Sequence, residues 1–137
     1  MFSDKITYVD FDGNTVTEEV FFNISKMEML QLDADHSGKY GEYLQKIADT
    51  EDMKQLLDAF KNIVKMSYGV KSEDGKRFVK SEEEFKKFEE SPVYDEFMMK
   101  LMSNEDYALK FILGAMPSVD GVTEESVRKN LALATQN

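Results

Sequence analysis

Two runs rich in β-branched and aromatic residues flank an Asp-Gly pair near the start of the chain, and this pattern constrains the fold most. Residues 5–11 form the first run, with Ile6 and Tyr8 on one face, and residues 15–22 form the second. Asp12-Gly13 between them suits a tight turn, because both residue types tolerate positive φ. The pattern predicts a β-hairpin over residues 5–22 that is buried on one face.

A helix start follows the hairpin directly. Ser25 can accept a hydrogen bond from the Glu28 amide while the Glu28 side chain reaches back to the Ser25 amide. Ile24 and Met29 stand where a hydrophobic staple belongs. We therefore expect a short helix from Ser25 to about Leu32.

Apolar residues at three- and four-residue spacing predict further helices in the rest of the chain. The expected segments are 39–48, 51–68 (capped by Thr50 and ended by Gly69), 81–90, 92–102 and 103–116 (capped by Ser103), with a turn or small hairpin at 70–80. The last helix is apolar nearly all round, which predicts the most buried position.

The predicted fold class is α+β and mostly α-helical, with the N-terminal hairpin followed by five or six helices in a compact, bundle-like arrangement. Residues 1–117 are expected to form this single domain. Residues 118–137 are more polar, and Thr123 precedes Val127, Leu131 and Leu133. This tail is expected to be either a short helix or disordered.

Composition narrows the function classes. The 137 residues carry a net charge of −10 and contain no cysteine, so the sequence offers no thiolate zinc site or nucleophile. Without a basic block, nucleic-acid binding is disfavoured. We see neither a signal peptide nor an apolar run near the roughly 20 residues that span a bilayer. These features favour a soluble, non-catalytic protein without a cofactor.

One loop resembles a calcium-binding EF-hand. Asp33, Asp35, Ser37 and Gly38 match positions one, three, five and six, but Leu44 stands where a bidentate glutamate is needed. We interpret this segment as a polar loop between helices, with a weak, incidental calcium site as the alternative. His36, the single histidine of the chain, does not suffice for a catalytic triad.

The segment 92–102 is the candidate protein-binding site. It holds more large apolar residues than one buried stripe needs, and methionine side chains adapt to partners of varied shape. Client or self-association contacts are therefore expected here, with Met99 the most exposed; the alternative is that every methionine lies in the core. The site residues are Phe97, Met98, Met99, Leu101 and Met102.

Several segments, in their order and spacing, resemble the tail assembly chaperones of long-tailed bacteriophages. No single one is catalytic, and the resemblance lies in their succession. They are YVDFDG (8–13), EEVFFNISKME (18–28), YLQKI (43–47), SYGVKSEDGKRF (67–78) and FILGAMP (111–117).

The resemblance implies a non-virion protein in the cytoplasm of the infected host. It implies that the protein binds the long tape measure protein, keeps it in solution and helps to recruit tail tube subunits. Homo-oligomers are a further expectation. The alternative is an acidic phage-encoded regulator or inhibitor that mimics DNA, although lysines interleave with most of the acidic runs.

Overall fold

A long β-hairpin opens the fold of the computed structural model, which describes residues 1–117, apart from the side chain of Ala48. Strand β1 (Phe2–Val9) pairs antiparallel with β2 (Thr15–Phe22) along their whole length. Ile6 and Tyr8 are buried, so the predicted core face of the hairpin is confirmed.

The connection between the strands, residues 10–14, is longer than the tight turn predicted at Asp12-Gly13. Strand β1 ends at Val9 because the Asp10 carboxylate accepts hydrogen bonds from the amides of Asp12 and Asn14. Gly13 takes a φ of 86°, which glycine adopts without strain. Phe11, predicted to belong to the first strand, lies in this loop instead.

Two short strands extend the sheet to four, in the order β1-β2-β3-β4. Strand β3 (Tyr68–Lys71) pairs with β2 at Phe21 and Phe22, and β4 (Phe78–Val79) pairs with β3. The small hairpin predicted at 70–80 is therefore confirmed.

Six helices complete the described chain, which confirms the α+β, mostly helical fold class. Their buried side chains join those of β1 and β2 in one hydrophobic cluster. The helices are α1 (Lys26–Asp35), α2 (Tyr40–Asp49), α3 (Met53–Ser67), α4 (Glu82–Glu90), α5 (Pro92–Ser103) and α6 (Glu105–Ala115). Helix α6 is among the most deeply buried, as predicted. The predicted tail, 118–137, lies outside the described residues.

The cap of α1 is confirmed in full. The Ser25 hydroxyl accepts from the Glu28 amide at 3.1 Å, and the Glu28 carboxylate accepts from the Ser25 amide at 2.9 Å. The helix continues to Asp35, beyond the predicted end at Leu32.

Two other predicted caps are wrong, each displaced by a neighbouring residue. Asp52, rather than Thr50, caps α3, because the Thr50 hydroxyl donates to the Ile47 carbonyl at the end of α2. Asn104, rather than Ser103, caps α6, because the Ser103 hydroxyl donates to the Met99 carbonyl inside α5.

Gly69 was predicted to end α3, and this prediction is wrong. The residue lies inside β3, opposite Phe21. A Cβ atom at this position would stand 2.5 Å from the Phe78 ring. The glycine is therefore explained by the close approach of that ring to the strand.

A partly buried carboxylate ties β1 to helices α5 and α6. The Asp4 carboxylate accepts from the Tyr107 hydroxyl at 2.7 Å and from the Lys100 ammonium at 2.9 Å. Burial alone would raise the pKa of Asp4, but these hydrogen bonds, together with one from the Lys5 amide, lower it below its ordinary value.

Replacing Ser25 with alanine should lower the free energy of unfolding by about 1 kcal/mol, because the α1 amides lose their acceptor. Urea denaturation measures this loss. Ser3→Ala, at an exposed position of β1, is the control and should change little. Equal stability of the Ser25→Ala and wild-type proteins would show that the cap contributes nothing to the fold.

Asp4→Asn should remove about 1–2 kcal/mol at neutral pH, since hydrogen bonds to a charged group are lost. The folded-state pKa of Asp4 is lowered, so its stabilisation is present above the unfolded value near pH 4 and disappears as the pH falls through the folded value. The stability difference between wild type and variant should therefore shrink in acid.

Urea denaturation at pH 7 and at about pH 3 tests this, with Asp58→Asn, at an exposed position on α3, as the control. A stability difference that stays constant across this range would contradict the assigned role of the Asp4 carboxylate.

Candidate protein-binding surfaces

The five predicted site residues on α5 differ in their exposure to solvent. Phe97, Met98 and Leu101 are buried, and Met102 is partly buried against the core. Met99 is 68% exposed, which confirms its predicted exposure. In this fold Met99 and part of Met102 are therefore the accessible members of the predicted site, and the other three serve the core.

Helix α1 carries a second apolar surface, which sequence reasoning missed. Met27 is 72% and Leu30 61% exposed, and they lie one turn apart on the same side of the helix. Met29 faces the core instead. Helix α1 is thus apolar on two sides, of which the described residues cover one.

A pocket adjoins this exposed side. Its volume is about 220 Å³, and Ile24, Glu28, Gln31, Leu32 and Met66 line it. Gln31 lies on α1 between the pocket and the exposed side, so the two are continuous around the helix. We call Met27, Leu30 and these five lining residues together the α1 surface.

One edge of the α1 surface is a fixed carboxylate. Glu28 accepts from the Lys80 ammonium at 2.6 Å and also from the Ser25 amide. Burial acts to raise the pKa of Glu28, but these hydrogen bonds and the Lys80 charge lower it. The pocket therefore combines apolar walls with one ionised group held by its own partners.

The hairpin loop carries a third exposed apolar group. Phe11 is 85% exposed, and Val9 beside it is also exposed. Single exposed apolar residues are common on protein surfaces, so Val9 and Phe11 make a suitable comparison site rather than a candidate.

The segment that resembles an EF-hand loop makes hydrogen bonds within itself. The Asp33 carboxylate accepts from the Tyr40 amide at 2.9 Å, and the Asp33 carbonyl accepts from the Gly38 amide. His36 contacts the rings of Tyr40 and Tyr43. Within residues 1–117, no group of three or more His, Cys, Asp or Glu side chains is arranged to hold a metal ion.

Helix length sets a further limit. None of the helices in the described part of the chain is both long and apolar enough to cross a membrane.

The fold and these surfaces describe an acidic α+β protein with exposed apolar side chains on α1 and α5 and a pocket beside α1. Exposed apolar surface of this kind is typical of protein-binding modules. A family model described as phage tail assembly chaperone matches residues 1–128. The chain therefore belongs to the phage tail assembly chaperone family, as its sequence resemblance indicated. Comparisons with curated proteins and with solved structures gave no significant match.

The segment 33–44 spans the end of α1, the connection and the start of α2. It should bind calcium no more tightly than about millimolar, because Leu44 cannot coordinate and the Asp33 carboxylate already accepts a backbone amide. Isothermal titration calorimetry with calcium chloride measures this, with magnesium chloride as the control titration. Saturable calcium binding in the micromolar range would instead indicate a calcium-responsive protein.

Proposed function

We propose that this protein is a tail assembly chaperone that binds the tape measure protein and helps to recruit tail tube subunits in the host cytoplasm. It acts by binding, without covalent chemistry. The observation that carries the proposal is the family match over residues 1–128. The exposed apolar side chains of the described residues supply surfaces for such binding.

The α1 surface suits an apolar helical client. Amphipathic helices bind in grooves through apolar side chains spaced by three and four residues. Met27 and Leu30 lie side by side on α1 and offer apolar contacts to such a helix, and the pocket beside them has room for an anchoring side chain. Met27 and Met66 are flexible, so the α1 surface can adapt to successive segments of a long client.

Met99 provides the second candidate contact. It stands alone on the exposed side of α5, next to the charged residues Asp95, Glu96 and Lys100. An isolated apolar side chain contributes less area than the α1 surface, so we place the client on α1 and assign Met99 to a secondary or self-association contact.

The net charge of −10 helps to keep chaperone–client complexes apart. Helix α4 exposes several carboxylates (Glu82, Glu83, Glu89 and Glu90), and its Lys87 pairs with two glutamates of the same helix. Like-charged complexes repel one another. A client covered by acidic chaperones therefore stays dispersed until the tube subunits assemble.

Met27→Glu with Leu30→Glu should reduce co-purification of a tagged, co-expressed tape measure protein by about tenfold or more. Both positions are exposed and glutamate favours helix, so the melting temperature should change little. Val9→Glu with Phe11→Glu adds the same charge at the hairpin loop and should leave co-purification intact.

Met99→Glu completes the comparison. Loss of co-purification in this variant alone, with normal folding, would place the client on α5 and contradict the assignment to α1. If the α1 variant and the α5 variant both retain the client, neither surface is the client-binding site. Capture of a nuclease or repressor from infected cells in place of tail proteins would favour the acidic regulator.

A further inference from the structure

The described chain ends beside the pocket of the α1 surface. The carbonyl of Ala115, the last residue of α6, accepts from the Ile24 amide at 2.7 Å, and Ile24 lines the pocket. Met116 is buried and Pro117 partly exposed. The described chain therefore ends close to the wall of this pocket.

The pocket favours an apolar side chain over water. Its volume of about 220 Å³ is many times the roughly 30 Å³ share of one water molecule. Ile24, Leu32 and Met66 give its walls few groups for water to bond, and the Glu28 carboxylate is already held by Lys80. An apolar ligand gains free energy by covering such walls.

The segment 118–137 has the matching chemistry. Val127 and Leu131 are four residues apart, the spacing that places two side chains on one side of a helix. Arg128 and Lys129 lie between them. Asp120, Glu124 and Glu125 outnumber this basic pair within the segment, so the match lies in the two apolar side chains and not in charge.

The segment 118–137 is long enough to reach the α1 surface. Val127 lies ten positions beyond Pro117, and an extended chain of that length spans up to about 35 Å. Helix α1, with 10 residues, is only about 15 Å long. A tethered segment of this length is present at an effective concentration of about millimolar, so weak docking suffices for high occupancy.

We infer that residues 118–137 dock on the α1 surface, with Val127 and Leu131 toward the pocket, and compete there with the client. The competition rests on the proposed function, whereas the docking itself does not. A client must displace the segment, so its apparent affinity falls by the fraction of chains in which the surface is free. The segment thus keeps the apolar surface covered until a client arrives.

A spin label tests the docking directly. The chain has no cysteine and nine methionines, so Asn130→Cys carries a single nitroxide and the methionine methyl groups report on it by NMR. The methyl signals of Met27 and Met66 should be broadened more than that of Met99. Adding Val127→Glu and Leu131→Glu to the labelled full-length chain should abolish this selective broadening.

The matched control is Thr135→Glu with Gln136→Glu, which adds the same charge but keeps both apolar side chains. Selective broadening should persist in it. Docking is overturned if Met27 and Met66 are never selectively broadened, or if the Val127→Glu and Leu131→Glu changes leave the broadening intact. A mixture of spin-labelled chain with isotope-enriched chain that carries no spin label tests for docking between two copies. If the Met27 and Met66 signals of the isotope-enriched chain are broadened in this mixture, a second copy occupies the surface and the inference fails.

Client binding tests the competition. The Val127→Glu/Leu131→Glu variant should bind the tape measure protein about tenfold more tightly than the control variant. Equal affinity in the two variants, with docking demonstrated by NMR, would overturn the competition and place the client elsewhere. Failure of the client to bind any variant would refute the proposed function while leaving the docking result intact.

Discussion

The buried ring of Phe22 is the contact on which the rest of the fold depends. The ring is fully buried, and Phe22 is the last residue of β2, where this strand pairs with β1 on one side and with β3 on the other. Five aromatic rings from five other elements surround it, at centroid distances of 4.6–6.2 Å: Phe2, Tyr68, Phe88, Phe97 and Phe111. Because each ring belongs to a different strand or helix, burying Phe22 requires the hairpin and the helices to pack together. Helix α1, with its apolar surface, begins only a few residues beyond this fixed point.

Local patterns in the sequence were sufficient for most of the fold. Alternation predicted the hairpin, apolar spacing predicted the helices, and the pair Ser25 and Glu28 located the start of α1. The errors arose where two neighbouring residues compete for one cap, since Thr50 and Asp52 are both good cap residues and tertiary packing selects between them. Gly69 shows the other limit, because its pairing with Phe21 joins residues that are distant in sequence and leaves no local signal.

The candidate surfaces were predictable only in part. Helical spacing indicated that Met99 falls outside the buried stripe of α5, and it does. The α1 surface was missed because Met27, Met29 and Leu30 are all apolar, so spacing alone does not decide which of them faces the core. Its pocket also needs Met66 from α3, and such a combination of distant residues is set by packing.

The attachment of β1 to α6 has a consequence during synthesis of the chain. Tyr107 follows Asp4 by 103 positions, and the ring of Phe2 packs against those of Tyr107 and Phe111. A ribosome adding about 5–20 residues per second needs about 5–20 s to make the intervening chain, and α6 must then leave the exit tunnel. Until both α5 and α6 have emerged, the apolar face of the hairpin lacks its full cover. The nascent chain is thus itself exposed to aggregation until α6 emerges, and the speed of translation influences how much of it reaches the folded state.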